Sequence, residues 1–229
     1  MHKKVVIVSL VIMLGLIFSG ISYNVQAAEM TLDKDTALHP QGWLSSDLKF
    51  QKGPVVLNER GEVVSGIMKE RTYLRPAGDV HIFLIDQYVY VKCDTLLFAP
   101  GLVVFNERGE VISGVLDHDQ DVSLYNDLLY YVGFRKGKEL TFSSDHSVSK
   151  GTLNSNQSLR PLGWNNQTWP TLTQSGFILF KGDTQVVFSK GEVVSGTLAQ
   201  DTELMTTYGK KKLFLADTFV TFNEKGEAS

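Results

Sequence analysis

Apolar and polar positions alternate along most of the chain after residue 28. The segment YVYVKC at 88–93 is one example, and its apolar residues recur at every second position. A period of two indicates strands that bury one face. No segment after residue 28 has the three-to-four-residue spacing of an amphipathic helix. The pattern therefore predicts an all-β chain with roughly a dozen or more strands.

One short phrase of this pattern occurs four times. Its copies are VLNERGEVVSG at 56–66, VFNERGEVISG at 104–114, VFSKGEVVSG at 187–196 and an incomplete VTFNEKGE at 220–227. The Val-x-Phe part alternates across a strand, Asn-Glu-x-Gly is a tight-turn sequence, and the part after the turn is rich in β-branched residues. The phrase predicts a β-hairpin with a type I turn and a glycine bulge, and its last glycine indicates a bulge or bend.

A second phrase alternates with the first. It is TLDKDTALHPQGW at 31–43 and TLNSNQSLRPLGW at 152–164, with weaker copies that begin at residues 67 and 197. It predicts a third short strand around Asp-Thr-x-Leu after a tight turn. Pro40, Pro76 and Pro161 then end that strand, because proline cannot donate a hydrogen bond to a ladder.

The alternation of the two phrases predicts a repeat whose unit contains both. The third unit keeps the spacing from Phe to Gly, with His146 where the turn glycine is expected. Such units bury their apolar faces against their neighbours. The leading architecture is therefore an array of about five imperfect β-hairpin repeats, as a rolling sheet or a β-solenoid-like rod. A closed β-barrel or a sandwich is the alternative. The predicted units are 31–66, 67–114, 115–151, 152–196 and a partial 197–229.

The N-terminus has the pattern of a secretion signal. His2, Lys3 and Lys4 precede an apolar run from Val5 to Phe18, and the small residues of VQAA follow at 25–28. We expect a signal peptide at 1–28, a single β-repeat domain at 29–229, and a secreted or cell-envelope location. The alternative is that residues 5–22 stay uncleaved as a membrane anchor, although the apolar run is short for a spanning helix.

Charge and cysteine content exclude several classes of function. The chain has 22 basic and 25 acidic residues, and residues 1–28 contain two of the lysines and no acid, so the part after residue 28 has a net charge of −5. Nucleic-acid binding needs a concentrated basic surface and is not expected. The basic runs RKGK at 135–138 and KKK at 210–212 are interpreted as solvated hairpin loops or edge protection. Cys93 is the single cysteine, so no internal disulfide forms.

The hairpin phrase resembles known repeats. Phe-Asn-Glu-x-Gly-Glu-Val-x-Ser-Gly is similar to the hairpin core of MORN-type repeats and of bacterial choline- and glucan-binding cell-wall repeats. The resemblance covers about ten residues of each unit. A choline cage needs paired aromatics beside the turn, and here Phe105, Phe188 and Phe222 stand singly. The fuller unit with its Pro-x-Gly-Trp resembles repeats of uncharacterised exported bacterial proteins, which implies an exported setting and no activity.

Three tryptophans are the candidate ligand-binding residues. Trp43 and Trp164 hold matching places in their units, and Trp169 follows in an insertion that is rich in amides. Exposed tryptophans beside amide side chains can stack on sugar rings. The alternative is that the Pro-x-Gly-Trp segments pack the corners between units.

Catalytic and metal sites find little support in the sequence. The run DHDQD at 117–121 alternates its carboxylates, but an EF-hand loop would need Gly and Glu where Val122 and Leu128 stand. The histidines are scattered without metal-ligand spacing. Recurring serine and glutamate residues are features of the repeat. We therefore expect no catalytic residue, no metal and no cofactor.

The sequence thus predicts an exported, non-enzymatic β-repeat protein that binds or scaffolds at the cell envelope or outside the cell. A cell-surface glycan or protein is the expected partner, reached through the inserted loops. Self-association through the C-terminal edge at Ser229 is a further possibility, and membrane association is expected only if the signal segment is uncleaved. The alternative function is a carbohydrate-active enzyme on an irregular β fold that uses Asp117, Asp119 or His146.

Overall fold

The computed structural model describes residues 27–78, 82–86, 89–93, 95–124, 131–143, 147–166 and 176–229. Strands dominate these residues, and their one helical segment is the single 3-10 turn η1 (Trp164–Asn166). The prediction of an all-β chain is confirmed. The predicted signal segment lies outside the described residues except for its last two. Within the described ranges, no helix has the length and apolarity needed to cross a membrane.

The strands are short, with the exception of two ten-residue strands. In chain order they are β1 (Ala28–Leu32), β2 (Thr36–Leu38), β3 (Leu48–Leu57), β4 (Val63–Met68), β5 (Thr72–Leu74), β6 (Ile82–Asp86), β7 (Val89–Cys93), β8 (Leu96–Phe105), β9 (Val111–Leu116), β10 (Gln120–Ser123), β11 (Tyr131–Phe134), β12 (Glu139–Ser143), β13 (Ser147–Thr152), β14 (Gln157–Leu159), β15 (Ile178–Phe180), β16 (Gln185–Ser189), β17 (Glu192–Thr197), β18 (Thr202–Met205), β19 (Lys211–Phe214) and β20 (Phe219–Thr221).

One antiparallel sheet of twelve strands contains all copies of the hairpin phrase. Its order is β1-β3-β4-β8-β9-β12-β13-β16-β17-β20, with β2 on β3 and β5 on β8. The sheet is open, and β1 and β20 are its end strands. The predicted array of hairpins is therefore confirmed, and the alternative of a closed barrel is wrong.

Short strands accompany the large sheet. The pairs β6–β7, β10–β11, β14–β15 and β18–β19 are separate two-stranded sheets. The long strands take part in both kinds of pairing: Leu48–Phe50 of β3 pairs with β2, and Gly53–Leu57 pairs with β1. One core cluster holds buried residues of the large sheet, such as Val55, together with residues of the short strands, such as Leu204.

The glycine that ends each hairpin phrase lies against a phenylalanine ring. A Cβ on Gly66 would lie 2.8 Å from the Phe50 ring, and one on Gly114 would lie 2.6 Å from the Phe98 ring. The same contact joins Gly151 to Phe134 and Gly196 to Phe180. The expected irregularity does adjoin this glycine in the first two hairpins, since Val55 pairs with Gly66 but Phe50 pairs with Met68, and the β8–β9 pair shows the same shift at Gly114. The glycine also leaves room for the ring.

The bulge of each hairpin lies two residues before that glycine. Val56 pairs with Ser65 and Leu57 pairs with Val63, so Val64 is the extra residue of the first hairpin. The glycine bulge predicted for the turn is at Gly61, which has a φ of 77°, and Val64 is a second bulge of the same hairpin. The extra residue bends the strand and increases its local twist.

The predicted turn forms as expected at Asn58. The Gly61 N–H donates to the Asn58 carbonyl over 2.9 Å, and Gly61 has a φ of 77°. The Asn58 Oδ1 accepts the N–H groups of Arg60 and Glu62, and its Nδ2 donates to the Glu62 carboxylate over 2.8 Å. Identical bonds recur at Asn106 and Asn223. The Asn-Glu-x-Gly-Glu sequence is thus fully used by its own turn.

Candidate functional site

The connections of most variable length lie at one edge of the array, which we call the loop edge. Three of them begin at a proline that bridges to the first residue after a hairpin turn: Pro40 to Val63, Pro76 to Val111 and Pro161 to Val193. A fourth begins with the bridge from Thr206 to Ala228. The variable connections therefore start beside the hairpin turns. The described residues of the loop edge are 39–47, 75–78, 160–166, 176–177 and 206–210.

Proline is compatible with these bridges because its nitrogen takes no part in them. The Gln41 N–H donates to the Val63 carbonyl over 2.9 Å, and the Val63 N–H donates to the His39 carbonyl over 2.8 Å. Both bonds involve the residues that flank Pro40, so no donor is missing. One residue, His39, separates Pro40 from the end of the short strand β2, and Pro40 also anchors the start of a loop.

Arg75, the cationic residue before Pro76, faces the glutamate of a hairpin turn. The Arg75 Nε lies 3.7 Å from the Glu110 carboxylate, which also binds Arg108 over 3.0 Å. Glu110 is only 6 % exposed. The recurring glutamate of the repeat is thus, at Glu110, a buried and paired carboxylate. The sequence signal is the joint recurrence of a cation before proline and a glutamate after the turn glycine.

Trp43 is half-buried and packs against the core cluster. Its indole N–H donates to the Ser46 carbonyl over 3.0 Å. The preceding Gly42 has a φ of 64°, and a Cβ there would lie 2.2 Å from the Glu107 carbonyl oxygen of the next turn. The corner packing that was the alternative for Trp43 is therefore present, and the residue remains partly exposed.

His39 ties the Trp43 loop together. Its Nδ1 lies 3.1 Å from the Asp47 carboxylate, and its Nε2 lies 3.0 Å from the Trp43 carbonyl oxygen. Both partners are acceptors, so the imidazolium, with two N–H donors, fits this position best. The Asp47 hydrogen bond, followed by the Trp43 carbonyl, raises the pKa of His39 above its ordinary value.

Trp164 holds the equivalent position in the 160–177 connection. The Arg160 guanidinium lies 4.3 Å from the centre of its ring and 4.8 Å from the Phe177 ring. Gly176 covers another part of the indole, since a Cβ there would lie 2.7 Å from its Cε3. Gly163, with a φ of 69°, packs on the turn at Glu224 as Gly42 packs on Glu107. Trp164 is thus half-buried in a cation–aromatic cluster.

The structure does not bring the candidate tryptophans together. The Trp43 loop is anchored to β4 and the Trp164 loop to β17, and these strands are six positions apart in the sheet. At about 4.8 Å per strand, the separation along the sheet is about 29 Å. Trp169 lies outside the described residues. The two placed tryptophans therefore do not share one stacking surface.

Two exposed apolar residues of the loop edge escaped the sequence analysis. Leu44, next to Trp43, is 102 % exposed, and Tyr208 is 88 % exposed. Tyr208 lies at the third position of a turn closed by the Gly209 N–H on the Thr206 carbonyl over 2.8 Å. An apolar residue inside a turn sequence, out of step with the strand alternation, was the available signal.

The carboxylates proposed for catalysis support turns at the opposite edge. The Asp119 carboxylate accepts the Lys136 N–H over 2.7 Å, and Asp201 accepts the Ala216 N–H over 2.8 Å in the same way. Asp117 lies 3.9 Å from Arg71. His146 lies outside the described residues. Among the residues that the structure describes, no three or more His, Cys, Asp or Glu side chains group as metal ligands would.

Comparison with known proteins adds no assignment. No protein-family model, curated protein or solved structure matches this chain. The candidate site is therefore defined by its geometry alone. It is the loop edge, with Trp43, Leu44, Trp164 and Tyr208 as its accessible apolar groups.

Proposed function

We propose that this chain is an exported, non-enzymatic β-repeat protein that binds a partner at the cell envelope or outside the cell through its loop edge. One observation carries the proposal. The side chains that recur from one hairpin to the next make contacts within the hairpins, as Asn106 does with Glu110. The connections that vary in length, by contrast, start at one edge of the sheet. Repeat proteins commonly bind through such variable loops on one face.

An extended cell-surface glycan is the ligand that these groups favour. Each of Trp43 and Trp164 is half-buried, so each ring is held in place and still partly accessible. Aromatic rings of this kind stack on the apolar faces of sugars. The spacing of about 29 Å along the sheet, which follows from the distance between neighbouring strands, corresponds to a chain of several sugars. A partner protein is the other outcome of the experiment below.

The test is binding of the exported protein to isolated cell-envelope fractions and to a glycan array. We expect Trp43→Ala and Trp164→Ala each to weaken binding about tenfold, the effect of one stacking contact. Trp43→Phe keeps an aromatic face and should retain most of the affinity. Tyr73→Ala is the matched control, because Tyr73 is 64 % exposed but lies within β5 and not in a loop.

The thermal midpoint of each variant separates binding from folding. Weaker binding with an unchanged midpoint supports the proposal. Unchanged binding of both alanine variants, or no binding of the parent chain to any envelope fraction, would exclude the loop edge as the binding surface. Loss of envelope binding after protease treatment of the envelope would assign the partner as a protein.

A further inference from the structure

Exposed apolar side chains concentrate in one short stretch near the C-terminus. Eight large hydrophobic residues of the described chain are exposed, and four of them lie between residues 208 and 219. Lys210, Lys211 and Lys212 are exposed in the same stretch. We call these residues the C-terminal patch. Its apolar members are Tyr208 (88 % exposed), Leu213 (56 %), Leu215 (59 %) and Phe219 (60 %).

The alternation of β19 explains how this patch forms. Phe214 points inward and is 7 % exposed, so Leu213 and Leu215 lie on the opposite, solvent-facing side. Lys212 occupies the position two residues before this phenylalanine. The same position before Phe98, Phe134 and Phe180 is a buried apolar residue: Leu96, Val132 and Ile178. A lysine thus replaces a core residue, and its ammonium lies 4.8 Å from the Phe214 ring.

The charge of the patch is positive although the chain is acidic. Lys211 lies 3.4 Å from Glu203. Two other acids nearby are engaged elsewhere, since Asp217 pairs with Lys181 and Asp201 caps the Ala216 N–H. Within the described part of the chain, no carboxylate lies within 4 Å of the ammonium groups of Lys210 and Lys212. The whole chain has a net charge of −3, so this concentration of lysines is local.

We infer that the C-terminal patch docks on an anionic lipid bilayer. Lysines beside aromatic and aliphatic side chains suit the bilayer surface, where the ammonium groups reach phosphates and the apolar groups enter the interface. A soluble polyanion would engage the lysines alone and leave Leu213, Leu215 and Phe219 in water. Lys211 shares the solvent-facing side of β19 with Leu213 and Leu215, and Tyr208 and Lys210 lie at the tip of the same hairpin. Cationic and apolar groups of one hairpin are therefore exposed together, which favours lipid. This docking is independent of any ligand at Trp43 and Trp164.

The test is sedimentation of the exported protein with vesicles of phosphatidylglycerol and phosphatidylcholine, or of phosphatidylcholine alone. Mass spectrometry first establishes the N-terminus, which is the same in all variants. We expect binding to the anionic vesicles only, and weaker binding as salt rises. The variant K210Q/K211Q/K212Q should bind roughly a hundredfold more weakly, from the attraction of three lysines to an anionic surface.

A matched control removes the same charge elsewhere. K34Q/K136Q/K138Q loses three exposed lysines that lie apart from the patch, and its binding should stay close to that of the parent chain. L215S and F219S keep all charges and should each weaken vesicle binding, but not binding to soluble polyphosphate. Circular dichroism checks that the variants are folded.

Four results would overturn the inference. Equal weakening by the two lysine triples would mean a non-specific charge effect. If the chain binds polyphosphate as tightly as vesicles, and L215S and F219S change neither affinity, the patch is a polyanion site. A parent chain that stays in solution with anionic vesicles would remove the basis for lipid docking, and a concentration-dependent dimer lost in F219S would assign the patch to a second copy.

Discussion

Contacts between a glycine and a phenylalanine fix the positions of single residues in this fold. Phe98 lies under Gly114, and its ring also meets Phe142 edge to face with centroids 6.4 Å apart. The same stacking joins Phe134 to Phe188. Each ring thus connects one hairpin to the next, and the glycine supplies the space for it.

Replacing Gly114 by alanine should therefore destabilise the chain. The new Cβ would lie 2.6 Å from the Phe98 ring, and overpacking of this kind costs about 1–3 kcal/mol. The free energy of unfolding in urea measures the effect. The double variant Gly114→Ala/Phe98→Leu should lose less stability than the sum of the losses of the two single variants, because the smaller side chain relieves the clash. Strictly additive losses would refute the contact.

The sequence contained part of this information. Phe50 and Gly66, like Phe98 and Gly114, are sixteen residues apart, so the pairing was visible as a spacing. The glycine alone did not reveal its cause, because a bend and a close contact both favour glycine. Only the pairing of strands places the ring over the glycine.

His39 makes one loop sensitive to pH. Asp47 raises its pKa, so the folded state binds the proton more tightly than the unfolded state. The stabilisation is fully present below the ordinary histidine pKa of about 6.5. It is lost as pH rises through the folded value. We expect an NMR titration to show a His39 pKa above about 6.5 in the parent chain. In Asp47→Asn the pKa of His39 should fall back towards that value. An unchanged pKa in that variant would exclude the pair.

At the scale of the elements, the residues of each turn determine the turn type of its hairpin. Three turns use the Asn-Glu-x-Gly-Glu bonds described above, and the β16–β17 hairpin has a two-residue turn at Lys190 and Gly191. Both residues have positive φ, 49° and 80°. Two such residues form the type I′ turn, which prefers Asn-Gly. The shorter phrase at 187–196 therefore encodes a different turn.

Lys190→Asn should stabilise this hairpin. Asparagine tolerates the left-handed region better than lysine, and the expected gain is about 0.5–1 kcal/mol. The thermal midpoint is the measurement. Lys136→Asn is the matched control, because Lys136 precedes a turn glycine without a positive φ of its own. A gain that is equal in both variants would show that turn geometry is not the reason.

Contacts between successive corners and turns join the whole molecule. Gly42 packs on the turn at Glu107, and Gly163 packs in the same way on the turn at Glu224. Local sequence could not predict these contacts, since more than sixty residues separate Gly42 from Glu107. For the same reason the sequence predicted the strands and the turns well, but it did not place Trp43, Trp164 or Tyr208 relative to one another.

Gly163→Ala should loosen the last part of the sheet. Its Cβ would lie 2.3 Å from the Glu224 carbonyl oxygen, and its φ of 69° disfavours alanine. We expect faster hydrogen exchange at Phe222, Asn223 and Ala228, with little change near β1. Gly42→Ala carries the equivalent clash and should instead affect the turn at Glu107. Equal acceleration throughout the chain in both variants would contradict the local coupling.

The proline bridges have a consequence for protein engineering. Pro161 ties the start of its connection to Val193, and the pairing of Leu159 with Ile178 holds both ends of that connection a strand's width apart. Within this connection Gly163, Trp164 and Gly176 make the packing contacts described above, so a change of length that keeps these three residues should leave the register of the strands unchanged. Foreign peptides grafted into residues 165–175 would accordingly be presented from a rigid base.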